Sequence, residues 1–511
     1  MSLAVVKTRA RLGIHAPLVT VEVHLSNGLP ALNMVGLPET AVKESKDRVR
    51  SAILNSHFEF PARRITINLA PADLPKEGSR FDLAIAMGIL AASEQIPREA
   101  LDEYEFLGEL ALTGEVRPVQ GTLPAALSGL DEARLADKDP VTLMVPSANG
   151  NEANLPSDAK VMAVKHLLDA TAHFHGQQRL GLHESSQAQT FSSAVIDLAD
   201  VKGQAQAKRA LEVAAAGRHN LLFFGPPGTG KTLLASRLNT ILPPMTEAEM
   251  LEVAAVKSIA GQGQFNYEQR YQRPFRAPHH TASAASLVGG GSYPKPGEIT
   301  LAHHGVLFLD ELPEFSRPVL EVLREPLENG QVMISRANGQ TCFPAQFQLI
   351  AAMNPSPTGY GSHSSQGLGF SQAAMEKYLA KLSGPFLDRI DLHVEVPDVP
   401  REILSATTQG EDSSTVRNRV TKAFNRQIER QGKANHGMNQ QELAQHCVLR
   451  NEDERFLDQA LTKLKLSARS YHRLLKVART LADLADLPSI ERPQLAEALS
   501  YRQLDRLRNG R

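Results

Sequence analysis

One eight-residue segment, GPPGTGKT at 225–232, constrains the fold of this chain more than any other. It follows an apolar run at 220–224 that predicts a strand, and it precedes a pattern at 233–238 that predicts a helix. In that context glycines let backbone N–H groups point at phosphate oxygens, and the helix N-terminus adds partial positive charge. A glycine-rich turn with a chance Lys-Thr pair is the alternative, but it does not require this context. The segment therefore predicts a nucleotide-binding α/β domain.

Each position of this segment is predicted to contact ATP. The predicted ATP-binding residues are Gly225, Pro226, Pro227, Gly228, Thr229, Gly230, Lys231 and Thr232. The amine of Lys231 is expected to reach the β- and γ-phosphates, and the hydroxyl of Thr232 is expected to bind Mg²⁺. ATP and Mg²⁺ are therefore the predicted cofactors.

A second motif, GVLFLDEL at 305–312, supplies two adjacent carboxylates. Its four apolar residues, 306–309, predict a buried parallel strand that ends at Asp310 and Glu311. Asp310 is predicted to hold Mg²⁺, and Glu311 to polarise the attacking water. Two acids at the start of an ordinary loop would look the same, but the phosphate-binding segment upstream favours the catalytic interpretation.

Asn354 follows another apolar run, LIAAM at 349–353. A polar residue at this strand end is predicted to lie between the first two motifs and to orient water near the γ-phosphate. The alternative is an asparagine that only forms a turn before Pro355.

Length and composition limit the class of protein. A chain of 511 residues is too long for one core, so two to four domains are expected. The net charge of -1 gives no general basicity that would point to nucleic acid. Two distant cysteines, Cys342 and Cys447, predict no disulfide framework, and no apolar run approaches a membrane span. We expect a cytoplasmic protein without membrane contact.

The predicted secondary structure changes along the chain and divides it into domains, with an α/β fold class overall. Residues 1–174 mix strand and helix patterns, and a polar stretch rich in Gln and Ser at 175–194 predicts a linker. Residues 195–400 alternate strands with helices, and 401–511 are helical.

Several of these motifs together resemble one bacterial family. GPPGTGKT, LFLDEL, AAMNPSPTG and SGPFLDRIDLHVEVP are similar to the magnesium-chelatase-like branch of the AAA+ ATPases. VGLPETAVKESKDRVRSAILNS at 35–56 and APADLPKEGSRFDLAIAMGILAAS at 70–93 resemble the YifB/ComM family in particular. The resemblance implies a Lon-protease-like (S5-type) α+β N-terminal domain, a central AAA+ domain and a C-terminal helical lid. It also implies a hexameric, ATP-driven DNA helicase that extends branch migration during natural transformation.

The resemblance assigns two arginines to the ATP site. Arg389, in the segment FLDRI, corresponds to the arginine that reaches the ATP site of a neighbouring subunit. A local ion pair with Asp388 or Asp391 is the alternative. The helix SARSYHRLLKVART resembles the one that carries the sensor 2 arginine, with Arg469 as the better match and Arg473 as the second choice.

The resemblance also suggests two DNA contacts. Strand patterns at 331–335 and 340–343 flank Asn338-Gly339 and predict a hairpin, with Arg336 in the place of a basic pore residue. A hairpin that only spaces the sheet is the alternative. The insert at 274–298 is predicted to be loop-like, with Lys295 as its basic residue.

Proteolysis and structural zinc are not expected. Where Lon-type proteases carry their catalytic serine and lysine, this chain has Arg80 and Leu123, and Ser79 is one place off. Many relatives carry cysteines in the loop after the position of Asn354, but this chain has no cysteine from 343 to 446 and so lacks those zinc ligands. The pairs His279-His280 and His303-His304 are expected to be buried, hydrogen-bonded histidines rather than metal ligands.

Three functions remain after this sequence-based reasoning. A hexameric DNA motor leads, and a chelatase-type ATPase that remodels a partner protein is the alternative. A Lon relative that still cleaves peptides is the third, and Arg80 and Leu123 argue against it.

Overall fold

A computed structural model provides the coordinates, and it describes residues 2–36, 40–184, 196–261, 270–291, 294–336, 339–354, 381–400, 402–403, 410–464, 467–502 and 504. The chain forms two compact units, and neither is continuous in sequence. The first comprises Met1–Thr190, Ala248–Arg270 and Ser335–Thr341. The second comprises Phe191–Glu247, Tyr271–Ile334 and Cys342–Arg511.

The first unit contains a seven-stranded mixed sheet with the order β3-β4-β2-β1-β5-β8-β9, and a small pair, β6-β7. The strands are β1 Ser2–Arg9, β2 Leu18–Ser26, β3 Ala31–Val35, β4 Arg64–Ala70, β5 Tyr104–Phe106, β6 Glu109–Leu110, β7 Val116–Arg117, β8 Thr142–Pro146 and β9 Val161–Val164. In β2, alternate residues are buried, as expected for a strand that covers a core with one face.

Five helices accompany this sheet: α1 Thr40–Asn55, α2 Asp82–Ala92, α3 Thr122–Leu135, α4 Gly150–Ala153 and α5 Leu167–Phe174. All eleven residues of α2 are buried, which explains why its sequence is apolar on every side. The mixture of strands and helices predicted for this part of the chain is confirmed.

The second unit is built on a five-stranded parallel sheet with the order β11-β14-β17-β10-β18. Two separate two-stranded sheets, β12-β13 and β15-β16, lie in the same stretch of sequence, although residues 335–336 and 339–341 of the second pair group with the first unit. The strands are β10 Leu221–Phe224, β11 Phe275–Arg276, β12 Gly289–Gly290, β13 Lys295–Pro296, β14 Val306–Leu309, β15 Gln331–Arg336, β16 Gly339–Pro344, β17 Gln348–Met353 and β18 Leu392–Glu395. The three central strands are buried on both faces, which explains their continuous apolar sequences.

The remaining helices are α6 Ala205–Gly217, α7 Lys231–Ile241, α8 Glu247–Ala260, α9 Ala284–Val288, α10 Glu298–Leu301, α11 Arg317–Glu321, α12 Arg324–Asn329, α13 Gly384–Leu387, α14 Ser413–Gln431, α15 Gln440–His446, α16 Asn451–Leu464, α17 Ala468–Leu484 and α18 Arg492–Ser500. The helical pattern predicted after 401 is confirmed for α14 to α18. One apolar core joins the parallel sheet to these C-terminal helices, and it includes Leu221 of β10 and Leu481 of α17.

Helix α8 belongs to the first unit, although it lies between two segments of the second. Its Ala254 and Ala255 are buried against Leu123, near the start of α3. The hydroxyl of Ser258 also donates a hydrogen bond to the carboxylate of Glu152. The sequence placed this helix with the central domain, and the difference arises because its apolar side has its partners on α3.

Candidate nucleotide site

The carboxyl ends of three adjacent parallel strands form the edge of the sheet at which the predicted motifs meet. β10 leads into the loop at 225–230, β14 leads into Asp310 and Glu311, and β17 leads into Asn354. β17 lies between the other two strands and is hydrogen-bonded to both. Because these neighbouring strands are parallel, their carboxyl ends lie at the same edge of the sheet, and so do the polar residues that follow them.

The loop after β10 requires glycine at two points. A Cβ on Gly225 would lie 2.2 Å from the carbonyl oxygen of Val396, so no larger residue fits without moving the backbone. Gly230 has a φ of 88° and precedes the first residue of α7, Lys231. The strand–loop–helix arrangement predicted around 225–232 is confirmed.

The amine of Lys231 is buried and held by its own loop. Nζ donates hydrogen bonds to the carbonyl oxygens of Gly225 at 2.8 Å and Pro226 at 2.6 Å. Burial lowers the pKa of Lys231, and the carboxylates of Asp310 and Asp398 oppose that shift. The charge is therefore held at the loop by carbonyl dipoles, in a place where phosphate oxygens would be stronger partners.

The hydroxyl of Thr232 and the carboxylate of Asp310 are in direct contact. Thr232 Oγ1 donates to Asp310 Oδ2 at 2.7 Å, which joins the first turn of α7 to the end of β14. The other oxygen, Oδ1, accepts the backbone N–H of Glu311 at 2.9 Å. Glu311 adopts a φ of 53°, a conformation uncommon for a residue with a side chain. The two predicted metal-binding side chains are thus brought together.

Asn354 is half-buried and follows directly after β17. The backbone N–H of Gly225 donates to the carbonyl oxygen of Met353, one residue earlier, at 3.3 Å. Asn354 therefore lies beside the nucleotide loop, in the sheet position that the sequence predicted for it.

Arg389 is buried and bound within its own chain. Its guanidinium forms an ion pair with the carboxylate of Glu328 on α12, and Nη1 donates to the carbonyl oxygen of Pro385 at 2.5 Å. The sequence named Asp388 and Asp391 as possible ion-pair partners, whereas the partner in the structure is Glu328. Its Nε is a buried donor without a hydrogen-bond partner among the described residues.

The two candidates for the sensor 2 arginine have different surroundings. Arg469 lies exposed in the first turn of α17. Arg473, one turn later, is largely buried and donates to Asp391 Oδ1 at 3.2 Å. The second candidate is therefore tied to the strand segment that follows Arg389.

Comparisons with known proteins cover almost the whole chain. Family models match at residues 197–404, described as "Magnesium chelatase, subunit ChlI", at 21–149, described as "Subunit ChlI of Mg-chelatase", and at 410–502, described as "Magnesium chelatase, subunit ChlI C-terminal". The chain is 54% identical to "Competence protein ComM" of Haemophilus influenzae, over 99% of both chains. It is 53% identical to "Uncharacterized protein YifB" of Salmonella typhimurium, over 99% of this chain and 98% of that one.

The chain belongs to the ComM/YifB family of magnesium-chelatase-like AAA+ proteins. The resemblance drawn from the motifs is thereby confirmed. As an AAA+ protein of the ComM/YifB type, it is an ATPase. Within the described part of the chain, no helix is both long and apolar enough to cross a bilayer.

The two residues proposed for DNA contact lie in two of the three two-stranded sheets described for this ComM/YifB chain. The predicted hairpin is confirmed as the pair β15-β16, with Arg336 at the end of β15, and its turn at 337–338 lies outside the described residues. Lys295 is exposed in β13. The insert predicted to be loop-like instead contains α9 and the β12-β13 pair, in which Gly289 and Gly290 lie opposite Pro296 and Lys295 in an antiparallel register.

The two residues that the sequence compared with a Lon-type catalytic pair, Arg80 and Leu123, are both buried. Arg80 is 6% exposed, and burial lowers its pKa to about 10. Leu123 is completely buried in the contact with α8. The hydroxyl of Ser79 donates to the carboxylate of Glu109. Neither an arginine nor a leucine side chain can act as the nucleophile or the base of a Ser–Lys pair.

The histidine pairs are only partly as predicted. His303 is buried, and its Nδ1 accepts the backbone N–H of Gln346 at 3.1 Å. His279 is exposed rather than buried, and its Nδ1 lies 2.9 Å from Thr281 Oγ1. The prediction that His279 is buried is therefore wrong, because β11 ends at Arg276 and His279 lies beyond the strand.

Three residues that contact the predicted site residues or their loop were not predicted from the sequence to have a role. Gln204 donates to the carbonyl oxygens of Thr229 at 3.3 Å and Pro397 at 2.7 Å, and so supports the nucleotide loop. Glu328 holds Arg389, and His280 contacts Glu311. Only His280 stood in a noted motif, and its chemistry could not be derived from spacing.

Proposed function

We propose that this protein is an ATP-driven ring motor that acts on DNA, a hexameric helicase that promotes branch migration in recombination and natural transformation. The observation that carries the proposal is the meeting of Lys231, Thr232, Asp310, Glu311 and Asn354 at one sheet edge. A relative from Haemophilus influenzae is named "Competence protein ComM", which supports a role in competence.

The side chains present at this edge suit ATP and Mg²⁺. Thr232 and Asp310 offer a hydroxyl and a carboxylate, oxygen donors of the kind that Mg²⁺ prefers, and their oxygens are already 2.7 Å apart. Lys231 and the backbone N–H groups of residues 228–232 would bind the phosphates. When bound, Mg²⁺ would neutralise charge on the phosphate oxygens.

Hydrolysis requires a water molecule directed at the γ-phosphate. Glu311 would accept a proton from that water as a general base, and Asn354 would orient it from the neighbouring strand end. Pro226, Pro227, Gly228, Thr229 and Gly230 would shape the loop around the phosphates.

A neighbouring subunit would complete the site. Arg389 would stabilise charge on the transferring phosphoryl group of the next protomer, a contribution worth about 10³- to 10⁵-fold in related enzymes. For this to happen it must exchange Glu328 for the neighbour's nucleotide. Arg469, which is exposed at the start of α17, would contact the nucleotide as sensor 2, with Arg473 as the alternative.

DNA would pass through the ring. Arg336 on β15 and Lys295 on β13 would contact phosphates without reading the base sequence. We propose the domain order as well: a Lon-like domain at 1–174 without a catalytic dyad, a linker at 175–194, an AAA+ domain at 195–400 and a helical lid at 401–511. We further propose that the protein works in the cytoplasm, without a structural zinc ion.

ATP hydrolysis measured with and without DNA tests this proposal. We expect single-stranded or branched DNA to stimulate turnover, and we expect the stimulation to weaken as salt increases because phosphate contacts release counterions. Glu311→Gln should retain ATP binding and lose turnover, because the amide cannot accept the proton.

Glu314→Gln is the matched control, since Glu314 is three residues away and pairs with Lys381. It should hydrolyse ATP like the parent. Turnover by Glu311→Gln would contradict the assigned base. An absence of both DNA binding and DNA stimulation at low salt would exclude the helicase.

A chelatase-type ATPase that remodels a partner protein is the second candidate. The descriptions of all three matching family models name magnesium chelatase, which favours it. ATP turnover that ignores DNA but responds to a protein partner would support this candidate over the motor.

A further inference from the structure

The segment between β11 and α9 approaches the nucleotide site. It begins at Arg276, whose guanidinium forms two hydrogen bonds with the carboxylate of Glu298, at 2.7 and 2.8 Å. A paired contact of this kind fixes both position and orientation. The start of the segment is thereby anchored to α10, and His279 and His280 follow it.

His280 makes direct contact with the residue proposed as the general base. Its Nδ1 lies 3.1 Å from Glu311 Oε2. For a hydrogen bond to form here, Nδ1 must carry a proton and donate it, because a carboxylate only accepts. The side chain of Glu311 is 53% exposed, so without a partner it would sample several rotamers.

Two aromatic contacts restrict the ring of His280. The ring of His279 lies 4.1 Å away, centroid to centroid, at an interplanar angle of 33°. The ring of Phe315 meets it edge-on, at 6.5 Å and 83°. Phe315 is buried and follows Glu311 by four residues. The ring that restricts His280 therefore lies in the same short segment as the carboxylate that His280 contacts.

We infer that His280 is a positioning residue that orients the carboxylate of Glu311 for proton transfer. The inference rests on the proposed role of Glu311 in hydrolysis. A general base acts only when its oxygen lies within hydrogen-bond reach of the proton that it removes. A contact between His280 and one carboxylate oxygen of Glu311 directs the other oxygen toward the attacking water. The carboxylate then loses less entropy when the transition state forms.

His280→Ala tests the inference. We expect kcat for ATP hydrolysis to fall about 10- to 100-fold, the scale of a base that is misplaced by about 1 Å. Binding of a fluorescent ATP analogue should be unchanged, because His280 is not part of the phosphate-binding loop. His280→Asn should recover most of the turnover, since its amide nitrogen lies close to the place of Nδ1.

Two comparisons separate this inference from the proposed function. His15→Ala removes an exposed histidine of the first unit and should hydrolyse ATP like the parent. In a Glu311→Gln background, His280→Ala should cause no further loss, because the two residues act as a unit.

The outcomes have distinct meanings. If the parent fails to hydrolyse ATP, or Glu311→Gln retains turnover, the proposed function fails. If Glu311→Gln is inactive but His280→Ala keeps the kcat of the parent, or Asn restores no more than Ala does, the positioning role is wrong. Weaker binding of the ATP analogue by His280→Ala, at unchanged kcat, would also overturn it.

Discussion

Among single residues of the second unit, Asp391 is buried and has several charged and polar partners. Its Oδ2 accepts the backbone N–H of Asn220 at 3.0 Å and lies 2.8 Å from His436 Nδ1, and its Oδ1 accepts from Arg473 at 3.2 Å. His219 Nδ1 lies 3.5 Å from Oδ2. Burial raises the pKa of Asp391, but His436, His219 and Arg473 outweigh it and hold the pKa well below its usual range.

Asp391→Asn should lower the free energy of unfolding by about 3 kcal/mol near pH 7, because Arg473 would keep a largely buried charge without its partner. The folded pKa lies below the unfolded one, so the contribution of Asp391 is present above about pH 4 and is lost at lower pH. Urea unfolding of parent and variant at several pH values measures both effects.

Asp458→Asn provides the control, since Asp458 is exposed on α16. It should unfold like the parent at every pH. A stability difference between the parent and Asp391→Asn that stayed constant from pH 7 to well below pH 4 would contradict the assigned cause.

The site residues that could be predicted from the sequence are those that lie at a fixed distance after a predicted strand. Lys231 and Asp310 each follow a strand at a set spacing, so the parallel sheet brings them together. Glu328 contacts Arg389, and His280 contacts Glu311, only because the loops and short helices around them bring these side chains together. No spacing within the sequence encodes those contacts, which is why the partner of Arg389 was missed.

At the level of elements, helix α8 groups with the first unit, although segments of the second unit precede and follow it in the sequence. Its apolar positions were visible in the sequence, but a helical pattern does not say which surface it covers. The small side chains of Ala254 and Ala255 allow a close approach to Leu123. The assignment of α8 therefore depended on tertiary contacts.

Leu123→Ala should destabilise the first unit by about 3 kcal/mol, because it leaves a cavity between α3 and α8. Amide hydrogens of α8 should exchange faster in this variant, since the helix loses part of its packing surface. Denaturant unfolding and hydrogen exchange followed by mass spectrometry measure the two effects.

Leu135→Ala is the matched control, because Leu135 is 88% exposed and ends the same helix. It should change neither stability nor the exchange of α8. Equal stabilities for the two variants would mean that Leu123 is not a packing residue of α3 and α8.

At the scale of the whole molecule, the ATP site of one chain is proposed to lack an arginine that the next chain supplies. Arg389→Ala should therefore hydrolyse ATP poorly while still binding it, and Lys231→Ala should fail because its own loop is damaged. Neither variant alone should be active.

Mixing the two variants tests whether Arg389 acts between subunits. In a mixed ring, the intact loop of an Arg389→Ala subunit can face the intact arginine of a Lys231→Ala subunit, so part of the ATPase activity should return. The mixture would stay inactive if Arg389 served only its own chain.

The overall class of fold followed from the sequence, because buried parallel strands and amphipathic helices have distinct patterns. The discontinuous division of the chain did not. Residues 248–270 and 335–341 group with the first unit although they interrupt the second, and only long-range contacts define that grouping.

The position of α8 has a practical consequence for dissecting the protein. A fragment that begins at residue 196 would keep α8 but lose α3, on which Ala254 and Ala255 are buried. The helix would then expose these alanines and Leu251 to solvent, and such fragments tend to self-associate. A soluble ATPase fragment should therefore also replace the apolar side of α8, and an N-terminal fragment should include residues 248–260 through a short linker.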